Sequence, residues 1–332
     1  KKTEMILEDK KNRLEIKNMR NHYKKIKISD VISILEEMSK IPLFRDSSKF
    51  YERFVSDTSK VILGQDFAIK SVCDVFRKRQ FSSNGSKPIS FLFLGPTGVG
   101  KTLLAKSYGK YFYGDNVIRV DMSEFKEGHS VSKMIGSPPG YVGYNDSKNV
   151  FEQVKDNPYS LIILDEIEKG SREVINLFLQ ILDEGFCKNS KGELINFSNT
   201  SIIMTSNLGC EKNSIGFDNG VCYTDINKFF GTEFVNRIGS VIRFNRISFD
   251  ICKRLVNSSL ARIRSFYKKK GIICSFSNNL VVELINLCEY DKYGVRKLDN
   301  IISERLESIL VDNVFDGKTK IRIDSILDTK VV

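Results

Sequence analysis

The apolar run Ile89-Ser90-Phe91-Leu92-Phe93-Leu94 leads directly into Gly95-Pro96-Thr97-Gly98-Val99-Gly100-Lys101-Thr102, which is followed by Leu103-Leu104-Ala105-Lys106. A short continuous apolar run reads as a strand covered on both faces. The spacing G-x-x-x-x-G-K-T then demands a turn whose backbone N–H groups point inward around phosphate, with a helix N-terminus behind them. Strand, phosphate loop and helix start thus occur in one stretch. Few folds accept that order other than an α/β layer fold with a parallel sheet. In this pattern Lys101 reaches the β- and γ-phosphates and Thr102 ligates Mg²⁺. The loop Gly95, Pro96, Thr97, Gly98, Val99, Gly100, Lys101 and Thr102 is therefore read as a site for ATP or GTP.

Other strands are expected at Val117 to Asp121, Leu161 to Asp165, Thr200 to Ser206 and Ser240 to Phe244, each separated from the next by helical sequence. From about Ser248 the pattern turns mainly helical, with one late strand near Lys320 to Ile323. The fold class is accordingly α/β, a five-stranded parallel sheet with a smaller, mainly helical C-terminal part. Residues 1–28 read as a linker or the end of an upstream helical region, 29–246 as the large α/β subdomain and 247–332 as the small subdomain. A short helix is expected near the start of the large part. Ser29 or Asp30 would cap it, Val31, Ile34, Leu35 and Met38 would share one face, and Pro42 would end it.

Composition excludes several classes of function. The seven cysteines form no C-x-x-C pair and the only histidines are His22 and His129, so zinc-ligand spacing is absent. No apolar run approaches the roughly 20 residues of a membrane helix, and no membrane partner is expected. The net charge is +11, but residues 1–27 carry six of those charges, so a solvated arm explains the excess at least as well as a nucleic-acid surface does. No nucleic-acid partner is expected. Lys, Asn and Ile are abundant and Ala occurs only at 68, 105 and 261, a bias that fits an AT-rich genome.

Hydrolysis requires acids at the carboxyl end of a neighbouring strand, and Leu161-Ile162-Ile163-Leu164-Asp165-Glu166-Ile167-Glu168-Lys169 supplies them. Asp165 is placed for the metal and Glu166 for the attacking water. Glu166 favours an ATPase over a nucleotide-binding scaffold with little turnover.

Taken together, these segments resemble the second ATPase module of the Clp unfoldase and disaggregase family within the AAA+ superfamily. The resemblance rests on Ile62-Leu63-Gly64-Gln65-Asp66, the phosphate loop, Asp121-Met122-Ser123-Glu124-Phe125 and Gly136-Ser137-Pro138-Pro139-Gly140-Tyr141-Val142-Gly143-Tyr144. It continues through the Asp165-Glu166 segment, Met204-Thr205-Ser206-Asn207-Leu208-Gly209, Glu233-Phe234-Val235-Asn236-Arg237-Ile238 and Tyr293-Gly294-Val295-Arg296, all in family order. The resemblance implies an AAA+ P-loop fold, ATP and Mg²⁺ as cofactors, a homo-hexameric ring and unfolded protein substrates, with no intrinsic protease activity. It makes Asn207 the first sensor, Arg296 the second, and Arg237 an arginine finger entering the neighbouring subunit's site, with Ile62 and Leu63 at the adenine. Taken alone, Asn207 would read as a strand-end turn residue, Arg237 as part of a surface pair, and Ile62 and Leu63 as core.

Two loops bear on what such a motor does. Burying an aromatic or branched apolar side chain is worth roughly 1.5 to 3 kcal/mol, so exposing Tyr141 and Val142 between glycines needs a reason. The resemblance makes them the pore loop that grips polypeptide; by sequence alone a packed turn is equally acceptable. Ile215-Gly216-Phe217 resembles the tripeptide with which ClpA, ClpC and ClpX unfoldases dock on a ClpP-type peptidase, and which ClpB-type disaggregases lack. It favours the ClpC/ClpA type, the alternatives being a ClpB-type disaggregase or a loop whose Ile and Phe fold back onto the domain. The chain departs from the family at Thr232, where a Pro is common, in lacking a Trp before Ile41-Pro42, and at Lys188-Asn189-Ser190-Lys191, which replaces a more acidic second pore loop. With the composition bias, the ClpC-like resemblance implies a plastid-type organelle (apicoplast or chloroplast stroma), the cytoplasm being the alternative.

Overall fold

The structure, a computed structural model, describes residues 8–13, 27–39, 48–80, 85–127, 131–136, 149–209, 223–290 and 294–327. The chain forms two compact units, Lys1–Asp46 and Ser47–Val332. In the first, α1 (Ile28–Ser39) starts earlier than expected, so Ser29 and Asp30 lie inside it. Asp30 instead reaches back from the first turn to accept the Lys27 backbone N–H at 3.0 Å, the return half of a capping box. Ile34 and Met38 are half-buried, whereas Val31 and Leu35 are exposed; Pro42 lies outside the described residues.

The second unit opens with α2 (Ser48–Val61) and α3 (Asp66–Gln80) and continues through β1 (Ile89–Leu94), α4 (Lys101–Phe112) and β2 (Val117–Asp121). Then come α5 (Val131–Ile135), α6 (Val150–Asp156), β3 (Leu161–Asp165), α7 (Arg172–Glu184), β4 (Phe186–Lys188), β5 (Leu194–Asn196) and β6 (Ser201–Ser206). The large part closes with α8 (Tyr223–Phe230), α9 (Thr232–Arg237) and β7 (Ser240–Arg243).

Five strands form one parallel sheet in the order β2-β3-β6-β1-β7. The register pairs Leu94 with Ser206, Leu164 with Met204, and Asp121 with Asp165. The carboxyl ends of the central strands are therefore level, and the residues that follow them meet along one edge. Ligands of open α/β sheets bind in that crevice.

Alternation along each strand sends side chains to two cores. Leu92, Leu94, Ile162, Leu164, Ile202 and Met204 pack with Val174, Phe178 and Ile181 of α7, a helix whose first turn is capped by the Ser171 hydroxyl accepting from the Val174 N–H. The opposite face is aromatic. Phe91 meets Tyr108 of α4 at 5.7 Å between ring centroids, and Phe112 of the same helix meets Phe76 at 4.2 Å and Phe54 at 4.8 Å. The Tyr108 and Tyr113 hydroxyls converge on Ser201 Oγ at 2.9 and 2.6 Å, so the polar tips in this layer are satisfied. Burial pushes the Tyr108 hydroxyl well above its ordinary pKa.

Beyond β7 come α10 (Phe249–Lys269), β8 (Ile273–Phe276), α11 (Asn278–Cys288), α12 (Arg296–Ile301), a π-helical turn (Ile302–Leu306), α13 (Glu307–Phe315) and β9 (Lys320–Ile323). The expected late strand is β9, and its parallel partner β8 gives it a ladder. β8 and the β4–β5 hairpin are additions to the sequence reading. No helix among the described residues is long and apolar enough to cross a membrane.

Candidate nucleotide site

The phosphate loop joins β1 to α4 through Gly98 and Gly100, whose φ values of +75° and +104° lie in the left-handed region. Lys101 opens the helix and is only 8 % exposed. A buried ammonium requires acceptors, and Nζ donates to Gly95 O at 2.5 Å, Pro96 O at 2.7 Å and Asn207 Oδ1 at 2.8 Å. Thr97 Oγ1 lies 3.5 Å from the same Asn207 oxygen. The structure thus brings Lys101 and Asn207 together on the carboxyl edge of β1 and β6.

Asp165 ends β3 beside them. Its Oδ1 accepts from the Thr205 hydroxyl at 2.6 Å and the Thr102 hydroxyl at 3.0 Å, and its Oδ2 takes Arg119 Nη2 at 2.6 Å. Burial by itself raises the carboxyl pKa, but the hydrogen bonds from Thr205, Arg119 and Thr102 outweigh it and hold the group below its usual value. Asp165 therefore stays ionised. Carboxylate and hydroxyl oxygens 3.0 Å apart suit a hard, oxygen-seeking dication, so Thr102 and Asp165 fit Mg²⁺.

Glu166 sits at φ +57°, a left-handed conformation uncommon for a residue with a Cβ. Its backbone N–H donates to Thr205 Oγ1 at 3.0 Å, so one hydroxyl fixes both acids. The Glu166 carboxylate pairs with Lys169, and this hydrogen bond raises the lysine's pKa. Glu168 Oε1 accepts the Asn207 backbone N–H at 2.9 Å and so holds the end of β6.

Ile62 is buried against the loop; a Cβ on Gly100 would lie 3.2 Å from its Cγ2, while Leu63 is half-buried. Gln65, which the sequence reading quoted but left without a role, is 2 % exposed. Its side-chain amide donates to Asn245 O at 2.8 Å and Val99 O at 3.4 Å and accepts the Asn245 N–H at 2.9 Å. From the helical part, Gly294 packs on the loop at φ +59°; a Cβ there would lie 2.6 Å from Gly98 C and O and from Thr97 O. Val295 N donates to Gly98 O at 3.4 Å. Arg296 follows at the start of α12 and shares a cleft of about 400 Å³ with Thr97, Glu289, Lys297 and Asn300.

Arg237 lies elsewhere. It pairs with Glu233 at 2.6 Å and Asp183 at 3.4 Å, and Gly239, two residues on, donates to Ser90 Oγ at the amino end of β1. The phosphate loop starts five residues further along that strand, about 16 Å away at the usual rise of about 3.3 Å per residue. Within one chain Arg237 and Lys101 therefore occupy opposite ends of the sheet. Tyr141, Val142, Ile215, Gly216 and Phe217 lie outside the described residues.

Arg119, Thr205, Glu168 and Gln65 are the site residues that motif reading missed. Arg119 carried a signal, as a charge inside the apolar strand Val117–Asp121, and Thr205 another, as a hydroxyl ending the run Ile202-Ile203-Met204.

Comparison with known proteins bears on the same elements. A family model described as "AAA domain (Cdc48 subfamily)" matches residues 86–241, and one described as "C-terminal, D2-small domain, of ClpB protein" matches residues 247–327. The chaperone protein ClpB of Malacoplasma penetrans is 36 % identical over 332 residues, covering 94 % of this chain and 46 % of the relative. ClpB of Mycoplasma genitalium is 38 % identical over 300 residues, 88 % of this chain and 42 % of the relative. The ATP-dependent Clp protease ATP-binding subunit ClpE of Streptococcus pneumoniae is 34 % identical over 313 residues, 90 % of this chain and 42 % of the relative. The chain thus spans less than half the length of each of these relatives. With a phosphate loop on a five-stranded parallel sheet, followed by a small domain of the D2 type, the chain belongs to the Clp family of AAA+ ATPases as a second ATPase module.

Proposed function

We propose that this module hydrolyses ATP with Mg²⁺ and uses the cycle to pull unfolded polypeptide through the pore of a homo-hexameric ring. The observation that carries the reading is the convergence of Lys101, Thr102, Asp165, Glu166 and Asn207 on one sheet edge, with Gly294 and Arg296 of the helical part against the same loop. Lys101 brings positive charge to the β- and γ-phosphates. Thr102 and Asp165 would hold Mg²⁺, which when bound neutralises charge developing on the phosphates. Glu166 takes the proton of the attacking water once its carboxylate turns from Lys169, and Asn207 orients the γ-phosphate. Arg237 completes the site of the next subunit, and Tyr141 and Val142 grip the substrate.

Steady-state ATP hydrolysis under assembling conditions tests the chemistry. Glu166→Gln keeps the shape of the site and removes the base, so turnover should fall by about 10²- to 10⁴-fold with affinity for a fluorescent ATP analogue preserved. Turnover equal to wild type would sink the assignment of Glu166. A wild type that binds nucleotide but does not turn it over would favour the scaffold reading.

The destination of the polypeptide has two readings. Ile215-Gly216-Phe217 supports delivery to a ClpP-type peptidase, several weak apolar plugs gaining by multivalency. The match to a small domain described from ClpB, and relatives named ClpB, support disaggregation without a peptidase. Capture of a ClpP-type peptidase by the assembled ring, lost on Phe217→Ala, is the expected result if the tripeptide docks; capture unaffected by the substitution removes that role. Composition supports a plastid-type compartment, and the location of the tagged full-length protein would check it.

A further inference from the structure

Arg119 belongs to none of the motifs, yet it provides the cationic partner of the acid read as a metal ligand. It stands on β2, the edge strand, in register with Ile163 of β3, two residues before Asp165. Side chains two apart share a face, and a long one reaches its diagonal neighbour on the next strand. Arg119 Nη2 meets Asp165 Oδ2 at 2.6 Å, while the other carboxylate oxygen is taken by Thr102 and Thr205. The two oxygens are thus divided: neutral hydroxyls on one, a full positive charge on the other.

We propose that Arg119 is an exchangeable counter-ion for Asp165: from Oδ2 it competes for the charge of the carboxylate with a divalent cation held on the Thr102 side at Oδ1, so that this charge is matched by one partner at a time. Two cations on one carboxylate share a single negative charge and repel each other, so the arginine's hold on Oδ2 weakens a dication's hold on Oδ1. The arginine has somewhere to go. Its side chain is 50 % exposed against 11 % for Asp165, so the guanidinium is the member of the pair with open space beside it. It also lines a cleft of about 500 Å³ beside the sheet edge in which Asp121 and Glu124 offer carboxylates, together with Lys133. Exchange therefore moves the guanidinium between one acidic environment and another. The consequence is a weakened grip on the dication, together with retained affinity for nucleotide when the metal is scarce, because Asp165 then does not face the phosphates as a bare charge. This inference rests on the reading of Asp165 as a metal-holding residue.

The test uses the whole chain, saturating ADP, and Mn²⁺ as a paramagnetic probe whose free concentration is read by electron paramagnetic resonance. Arg119→Met removes the competitor and keeps much of the apolar stem, so half-saturation by Mn²⁺ should fall by about tenfold, the order expected when one charge-assisted hydrogen bond no longer has to be broken. Binding of a fluorescent ADP in EDTA should weaken in the same variant. Arg119→Lys, which keeps the charge but loses the fork geometry, should lie between the two. Unchanged or weaker Mn²⁺ binding by Arg119→Met, with wild-type circular dichroism and melting, overturns the proposal. Should that variant not fold, unchanged Mn²⁺ binding by Arg119→Lys overturns it instead. Asp165→Asn separates the two layers of inference. If it leaves Mn²⁺ binding intact, both the metal role of Asp165 and the Arg119 proposal fail; if it abolishes binding while Arg119→Met changes nothing, only the latter does.

Discussion

Gly294 shows how narrow the tolerances at this site are. Its φ of +59° favours a residue without a Cβ, and the space where a Cβ would go is filled by backbone of Thr97 and Gly98 at 2.6 Å. A methyl there cannot be absorbed by a rotamer change, because the atoms it meets belong to the loop that cradles phosphate. The left-handed conformation alone costs a non-glycine residue roughly 1 to 2 kcal/mol, and the clash adds to it. Gly294→Ala should therefore push the helical part off the loop and weaken ADP binding by about tenfold or more, each 1.4 kcal/mol being about one decade. Titration with a fluorescent ADP measures this. Affinity equal to wild type would show that the Gly294 contact takes no part in nucleotide binding. Thr205 is the complementary case, since a single hydroxyl serves both the Asp165 carboxylate and the Glu166 backbone.

Elements differ in how openly the sequence announces them. β1, β3 and β6 are mainly apolar and buried almost throughout, as strands covered on both faces are, and their limits fall within a residue of those expected. β4 and β5 are three residues each, with only Cys187 and Ile195 turned inward, too short for an alternation to stand out. β8 escaped notice because Ile273-Cys274-Ser275-Phe276 takes its ladder from β9, some fifty residues later in the chain. The site divides in the same way. Residues with a fixed spacing, Gly95 to Thr102 and Asp165-Glu166, can be read directly. Arg119 shows locally only as a charge inside an apolar strand and takes its role from strand register, and Gln65 takes its role from contacts with the phosphate loop and the segment after β7. The aromatic layer was likewise invisible as a layer, since Phe54, Phe76, Phe91 and Phe112 come from four separate elements.

At the scale of the whole molecule, Lys101 and Arg237 mark opposite ends of the parallel sheet, so a subunit carrying both has a front and a back. Contacts that join front to back are heterologous, and they close into a ring only when the rotation per subunit divides a full turn. A shared site makes a specific prediction for mixtures. Arg237→Ala rings and Glu166→Gln rings should each be nearly inactive in ATP hydrolysis, whereas co-assembled mixtures should regain part of the activity, because some junctions then pair an intact Glu166 with an intact Arg237. Mixtures no more active than the separate variants would argue that Arg237 acts outside the neighbour's site. How motion leaves such a junction depends on where the chain can bend. Gln65 pairs in both directions with the Asn245 backbone and also reaches Val99 of the loop, and the Ser248 hydroxyl already caps α10. Between those two anchors only Arg246 and Ile247 remain. The connection is therefore a short axle fastened at both ends, its two intervening residues leaving little slack to absorb a tilt begun at the phosphates.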